Sequence, residues 1–369
     1  MTIAQPAPAS HVQGGVPPVS HFRMARAFLF PVLTNVWPIL LFVSQKAFVV
    51  PGILLVGFGD SAYRRDIVIA LALTLVGFIV YITQYSNVYD QAHFLGFVFF
   101  AWSIPIINHA SRIDNIKLRE ILTYITVVNA VIGFFLMISD IDLTGLRGLN
   151  KIVGSDGGTH RVYFESASLA SVSLFSTFKK KWIKFAAAVI IISFIIFVAR
   201  SVAIIILLFA NISLPFFLKR SPAIKITVLI SMIVLLYLSY IYLQILRPDV
   251  ELSLRAKEFQ FNLIINFLGS EWSGWGWGAF YPAMASDPDQ PYQVEMQLPM
   301  LMLQLGIVAF IVIMSLTALS FIGAASDNKM FGFARFFVYS MIGFNNPWLF
   351  IPSWFLTCQM LFRYDDERS

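Results

Sequence analysis

The chain has 369 residues, 58% of them hydrophobic and only 12% charged, with a mean hydropathy of +0.76; soluble domains carry about 25% charged residues, so a water-soluble globular protein is excluded. A net charge of +6 in so apolar a chain confines most cations to the loops at membrane surfaces, where they report orientation. The single cysteine, Cys358, rules out an intramolecular disulfide framework and a multi-cysteine metal site, and reads as a small apolar residue of the last span.

Residues 1–22, rich in Pro, Ala, Ser and Gly, read as a disordered cytoplasmic tail without the charged start and apolar centre of a cleavable signal. The remainder, 23–369, reads as one transmembrane domain. Apolar runs follow at 27–44, 47–60, 66–84, 94–109, 119–139 and 164–178. They continue at 183–199, 202–218, 224–245, 296–323 and 335–362. The second is short and carries Pro51 and Gly52; the last is interrupted at Asn345-Asn346-Pro347, so it forms one long helix or two short ones. The expected fold is therefore all-α, a polytopic integral membrane protein of about ten to twelve spans. No alternating segments of barrel type are visible.

With the N-terminus cytoplasmic, 18 of the 26 Lys and Arg fall in inner loops and 8 outside, which fixes the expected orientation. Two outer segments are long, 140–163 and 246–295. The second has room for an extracytoplasmic subdomain and is where function is expected, since loops on a rigid scaffold carry sites. No internal repeat of transporter type is evident.

Outer arginines run against this bias. Arg161 and Glu165, in "THRVYFESASLAS", stand four apart at the mouth of a span. An i,i+4 pair contributes only about 0.2–0.5 kcal/mol, a weak reason to hold charges at the bilayer edge, so a role beyond the pair is favoured. Arg200 lies between "IIISFIIFVAR" and "SVAIIILLFA" with almost no loop, at a tight hairpin. It either snorkels to headgroups or offers its planar fork to an anionic group such as a lipid pyrophosphate. In "RAKEFQFNLIINFLG", Arg255, Glu258, Asn262 and Asn266 share one helical stripe, with Leu254, Phe261, Ile264, Ile265 and Leu268 mostly opposite. This predicts an amphipathic helix on the outer surface with its polar stripe turned inward.

The next stretch, "GSEWSGWGWGAFYPAMASDPDQPYQVEMQLPMLMLQLG", alternates Gly274, Gly276 and Gly278 with Trp272, Trp275 and Trp277, then Phe280 and Tyr281. The glycines predict a tight, adaptable loop. The indoles form an interfacial belt or platforms for sugar rings. Glu295, at the threshold of the following span, is a candidate general base.

Other signals carry less. Asp287-Pro288-Asp289 and Asp140-Ile141-Asp142 imitate metal-binding acid pairs of nucleotide-sugar transferases but lie on the outer side, where nucleotide sugars are absent. His93, His109 and His160 match no metal spacing. Asp60 and Asp66 flank a cytoplasmic turn and read as solvated. No Gly-rich loop ends in Gly-Lys-Ser/Thr, which argues against an ATP-driven pump.

Four of these patterns together resemble the bacterial O-antigen polymerase and ligase superfamily, which includes the Wzy-type polymerases. "RVYFESASLA" (161–170) is similar to its Arg, aromatic, Glu/Asn-Pro/Ser, small, Leu-Ala signature, in the form common in polymerases, and "ARSVAI" (199–204) to its Ser-Arg-Ser/Thr hairpin, with Ala199 for the first serine. Arg255 followed by "GWGWGAF" resembles the Arg and Gly-x-Gly of the large outer loop. "VEMQLPMLMLQLGIV" (294–308) follows the spacing of the histidine motif, with Glu295 where ligases carry His and Gln304 where Glu is frequent. The match covers roughly residues 120–310, and the glutamate favours a polymerase over a ligase.

The resemblance implies a metal-independent, cofactor-free, inverting glycosyl transfer on the periplasmic face of the bacterial inner membrane. A glycan on undecaprenyl pyrophosphate passes to the terminal sugar of another lipid-linked repeat unit, in O-antigen, capsule or exopolysaccharide synthesis. By that resemblance Arg200 and Arg255, with Arg161 as a third contact, hold the pyrophosphate, and Glu295 is the catalytic base. Glu165, Asn262, Trp272, Trp275, Trp277 and Tyr281 line the sugar cavity. Its partners are the donor and acceptor lipids, membrane lipid, and a chain-length regulator and flippase of the same pathway; no nucleic acid is expected. Two alternatives stand beside it: an O-antigen ligase acting on lipid A–core, and a polysaccharide flippase without chemistry. A transporter places charges within its spans, whereas 66–84, 119–139 and 224–245 are nearly charge-free.

Overall fold

The computed structural model describes residues 64–84, 90–113, 115–139, 151–156, 159–173, 181–199, 201–219, 221–246, 250–270, 272–279, 296–325, 329–344 and 349–362. Among these residues, six helices are long and apolar enough to cross a membrane: Arg64–Thr83, Gln91–Ser111, Leu118–Ile138, Lys181–Ala199, Pro222–Tyr242 and Ile307–Ala324. The chain is thus a helical membrane protein. Predicted spans 27–44 and 47–60 lie outside the described residues, as does the tail 1–22.

Helices α1 (Arg64–Thr83) and α2 (Asp90–Ile113) pack against each other, and α1 also packs against α10 (Ile307–Ala324). A stripe of Val68, Leu71, Leu75, Phe78 and Ile82 leaves α1 exposed on its other side, as expected of a lipid-facing surface. Its hydroxyls are satisfied within the helix: Thr74 Oγ1 donates to the Ala70 carbonyl at 2.8 Å, and Thr83 Oγ1 to Ile79 at 2.7 Å. Asp66 departs from expectation. It is fully buried and accepts a 2.9 Å bond from Arg65, beside Gly323 at the end of α10. The carboxylate that reads as solvated is enclosed because α10, remote in sequence, covers that end of α1.

An aromatic column fills the centre. Phe100 meets Phe350 at 5.1 Å and Phe355 at 5.7 Å between ring centroids, and Phe321 meets Phe355 at 4.6 Å and Tyr339 at 5.3 Å. These rings come from α2, α10, α11 (Lys329–Met341), the turn at 349–350 and α12 (Pro352–Met360). The stretch 335–362 is two helices: α11 ends in a 3-10 turn at Ile342–Phe344, and α12 restarts with Pro352 at its first turn. Cys358 is buried in α12, as read. Helices α10 and α11 approach through Gly332, where an added Cβ would lie 2.7 Å from the Ile322 Cα and 2.8 Å from the Phe321 carbonyl oxygen. Gly332→Leu is therefore expected to lower stability by about 1–3 kcal/mol through overpacking, read as the thermal midpoint in detergent.

The remaining helices are α3 (Asn115–Ser139), the short α4 (Ala170–Ser173), α5 (Lys181–Ser193), α6 (Val202–Lys219), α7 (Pro222–Leu246), α8 (Val250–Ser270) and α9 (Gln297–Leu305). A wide π turn, Phe194–Ala199, extends α5. The expected hairpin of 183–199 with 202–218 does not close. Past residue 200, α6 packs against α4 and α7 rather than along α5.

The predicted span 164–178 is also corrected. Lys151–Asp156 (β1) and Thr159–Phe164 (β2) form an antiparallel hairpin with Lys151 opposite Phe164 and Gly154 opposite Arg161. Among the described residues this ribbon is the one departure from helix, turn and loop. A 3-10 turn, Glu165–Leu169, and α4 then run into the bundle, buried throughout 167–173. Small side chains let this irregular backbone fit between α3, α6 and α12. Its freed polar groups have partners, as burial demands. Asn211 Nδ2 donates to the Ser171 carbonyl at 3.1 Å, while Asn211 Oδ1 accepts from the Phe362 N–H at 3.0 Å. Thr123 Oγ1 donates to the Ser173 carbonyl at 2.6 Å, and the Ser168 and Thr357 hydroxyls meet at 3.1 Å. Asn211→Leu strands two buried backbone groups and is expected to destabilise by on the order of 1–3 kcal/mol for each, measured by denaturation in detergent.

Candidate functional site

The residues singled out in the sequence fall into two groups. The first surrounds the β-hairpin. Strand β2, which carries Arg161, packs on the end of α3 and on the π turn 194–199, whose next residue is Arg200. Glu165 opens the 3-10 turn directly after β2. Arg161 and Glu165 therefore do not share a helix face: one is on a strand and the other on a 3-10 turn, so the i,i+4 helical pairing does not apply. Arg200 itself lies outside the described residues. The fold brings strand β2, which carries Arg161, against the described segment 194–199.

The second group is a layer built from α8, α9 and the loop 272–279. Helix α8 is amphipathic, but its packed side is the apolar one. Ile264 is buried with Met300 and Leu303 of α9, with Leu263, Phe267, Leu268 and Trp275 around them. Arg255, Glu258, Asn262 and Asn266 are exposed. The stripe expected to turn inward faces away from the packed layer, because burial of Ile264 against α9 claims the opposite side of the helix.

The predicted span 296–323 is broken at Gly306. Gly306 has φ 77° and ψ 155°, a backbone region open only to glycine. Only α10, beyond the break, remains a span; α9 is held as a separate short rod, seven of its nine residues buried. The tryptophan–glycine loop clasps the break. The Trp275 and Gly276 N–H groups donate to the Leu303 and Gln304 carbonyls at 3.0 and 2.9 Å, and the Ile307 N–H donates to the Trp272 carbonyl at 3.1 Å. The buried Gln304 Nε2 donates to the Ala279 carbonyl at 2.7 Å. These bonds satisfy the last carbonyls of α9 and the first N–H of α10, which the break would otherwise orphan.

The loop is accordingly rigid rather than adaptable. Gly274, Gly276 and Gly278 all take positive φ, at 94°, 97° and 67°, and Gln84 Nε2 donates to the Ser273 carbonyl. Its three indoles have different fates. Trp272 is 66% exposed. Trp275 is half-buried with its ring edge-on to Phe267 at 4.8 Å. Trp277 is 2% exposed, packs on Phe97 at 4.8 Å, and donates from Nε1 to the Gly77 carbonyl at 2.9 Å. It is a core residue, so neither the sugar-stacking nor the membrane-belt reading holds for it. Trp277→Ala is expected to cost about 3–5 kcal/mol, whereas Trp272→Ala should leave the melting point within the small range of a surface change. Melting both variants in the same detergent checks the contrast.

Glu295 and Tyr281 lie outside the described residues. Glu295 nevertheless precedes a well-anchored element. Gln297, the first residue of α9, accepts from the Leu349 N–H through Oε1 at 2.7 Å and donates from Nε2 to the Leu349 carbonyl at 3.1 Å. Gln84, Gln297, Gln304 and Gly306 thus organise the layer. Of these, the sequence singles out Gln304 alone, and the Gly-x-Gly alternation at 274–278, remote from Gly306 in sequence, gives no hint that the two segments meet.

Among the described residues, no group of three or more His, Cys, Asp or Glu is placed to hold a metal ion. What the described residues offer chemically is an exposed stripe of Arg255, Glu258, Asn262 and Asn266 on α8 and the exposed indole of Trp272. No family model matches this chain, and no curated protein or solved structure does so either.

Proposed function

We propose that this protein is a Wzy-type polymerase of the bacterial inner membrane, with the N-terminus cytoplasmic and the α8 end periplasmic. It joins oligosaccharide repeat units carried on undecaprenyl pyrophosphate. The observation that carries the reading is the order of four motifs along residues 161–308, whose arginines the Lys and Arg distribution over the loops assigns to the outer side. The packing of β2 against the segment leading to Arg200, and the clasp that fixes the Gly-x-Gly loop, accord with a preformed outer site.

In this reading Glu295 takes the proton from the acceptor hydroxyl, and that oxygen attacks the anomeric carbon of the donor glycan. The bond from that carbon to the lipid pyrophosphate breaks with inversion. Arg200 and Arg255, with Arg161, stabilise the negative charge that develops on the departing diphosphate. Asn262 and Trp272 contact sugar, the first through its carboxamide and the second through its ring face.

Purified protein in detergent, given lipid-linked repeat units, should yield a ladder of products. Transfer to lipid A–core alone would replace this reading with the ligase. Absence of any transfer, with retained transbilayer movement of the lipid-linked unit in liposomes, would replace it with a flippase.

A further inference from the structure

We propose that the first three turns of α5 bind an anionic phospholipid. Lys181 and Lys184 take its headgroup phosphate, and the apolar surface below them takes an acyl chain. The proposal stands apart from the polymerase reading.

Helix α5, with its π turn, is one of the apolar spans, running Lys181–Ala199. Its packed side is set by Ala187 and Ile191, both buried. Phe194 and Val198 continue that side, so close to Gly133 of α3 that an added Cβ there would stand 2.9 and 3.2 Å from them. The opposite side is open along the first three turns. Trp182 is 69% exposed and Phe185 71%, with Val189 and Ile192 exposed beyond them. Helical spacing puts Lys181, Phe185 and Ile192 on one stripe, and Trp182 and Val189 on the next. Lys181 is exposed, and Lys184, one turn on, is partly exposed. The two cations thus head an apolar surface rather than interrupt it.

The dimensions fit one lipid. From Lys181 to Ile192 the helix rises about 16 Å, and one leaflet supplies half of a hydrocarbon core about 30 Å thick. Side chains in a helix lean toward its N-terminus. Both lysines, in the opening turn, are therefore carried outward to the headgroup layer, where aliphatic-stemmed amines and indoles such as Trp182 reside.

Charge supplies the selectivity. Neither lysine has an ion-pair or hydrogen-bond partner among the described residues. Residues three apart on a helix have Cβ atoms about 5–6 Å from each other, where like charges repel. A phosphate between them turns the repulsion into two charge-assisted hydrogen bonds. A soluble anion would satisfy the lysines but leave Trp182 and Phe185 uncovered; a phospholipid covers both. A choline headgroup carries its own cation and offsets the gain, so the site selects a lipid of net negative charge.

The test uses the full-length protein in phosphatidylcholine nanodiscs, titrated with phosphatidylglycerol brominated near the headgroup end of one chain. Quenching of Trp182 is read as the difference between the parent and Trp182→Phe, and the same bromination on phosphatidylcholine gives the reference. Each lysine beside an anionic headgroup strengthens association about fivefold. The parent should therefore favour phosphatidylglycerol by about 25-fold. Lys181→Ser or Lys184→Ser alone should each lose about fivefold, and the double variant should bring the two lipids level. Lys329→Ser, which removes an exposed lysine from another helix, should leave the preference intact. Equal quenching by the two lipids in the parent overturns the proposal. So does a preference that survives loss of both lysines, or one that falls as far with Lys329→Ser.

Discussion

Gly306→Ala is expected to give the largest loss of stability in the molecule. Two independent penalties meet there. The backbone at φ 77° and ψ 155° costs any side-chain-bearing residue about 1–3 kcal/mol. A Cβ on Gly306 would also stand 2.3 Å from the Ser273 carbonyl oxygen and 2.6 Å from its carbon, both of them backbone atoms without a rotamer to escape into. The reciprocal contact is as tight: a Cβ on Gly274 would lie 2.4 Å from the Gly306 nitrogen. Relieving either clash means pulling the loop off the break, which sacrifices the bonds from Trp275, Gly276 and Ile307 at about 0.5–1.5 kcal/mol each. Against a total stability of about 5–15 kcal/mol, that sum should leave little folded protein on a size-exclusion profile. Gly269→Ala supplies the control, since that glycine is helical with open space around its Cβ position. Alanine there should match or slightly exceed the parent melting point, having the better helix propensity. A Gly306→Ala protein that melts with the parent would show the clasp to be dispensable.

Arg255→Ala should give the largest loss of function at unchanged stability. The side chain is exposed on α8, on the side turned away from the α9 contact. Surface truncations of this kind move stability by only about 0.5 kcal/mol. If the guanidinium stabilises the departing diphosphate, its removal should lower the rate of polymer formation by about 10²–10³-fold. Arg200→Ala should behave alike. Lysine at either position keeps the charge but loses the planar fork, so it should fall between parent and alanine. Quantifying ladder formation from lipid-linked units, beside the melting curve of each variant, measures both quantities on one preparation. Full-length ladders from Arg255→Ala would remove the residue from the mechanism.

What local sequence could determine, it determined well. Spans such as 66–84 and 119–139 announce themselves because the bilayer requires a continuous apolar run and helices satisfy their own backbone within that run. The corresponding helices, Arg64–Thr83 and Asn115–Ser139, are present. The amphipathic helix after Arg255 and the interruption before Pro347 are equally local signals, and both appear as a helix and a break. Tertiary structure decided the rest, for the reason that the deciding partner is distant in sequence. Trp277 becomes core because Gly77, 200 positions earlier, offers a carbonyl and room for an indole. Asp66 is buried because α10 covers it. The apolar run 296–323 is cut at Gly306 because Ser273 and Gly274 press against its backbone. Residues 165–173 abandon a regular helix because Thr123 and Asn211 take up the carbonyls so released. Periodicity and composition describe how a segment meets its solvent; which face meets which neighbour is written only where two remote segments touch.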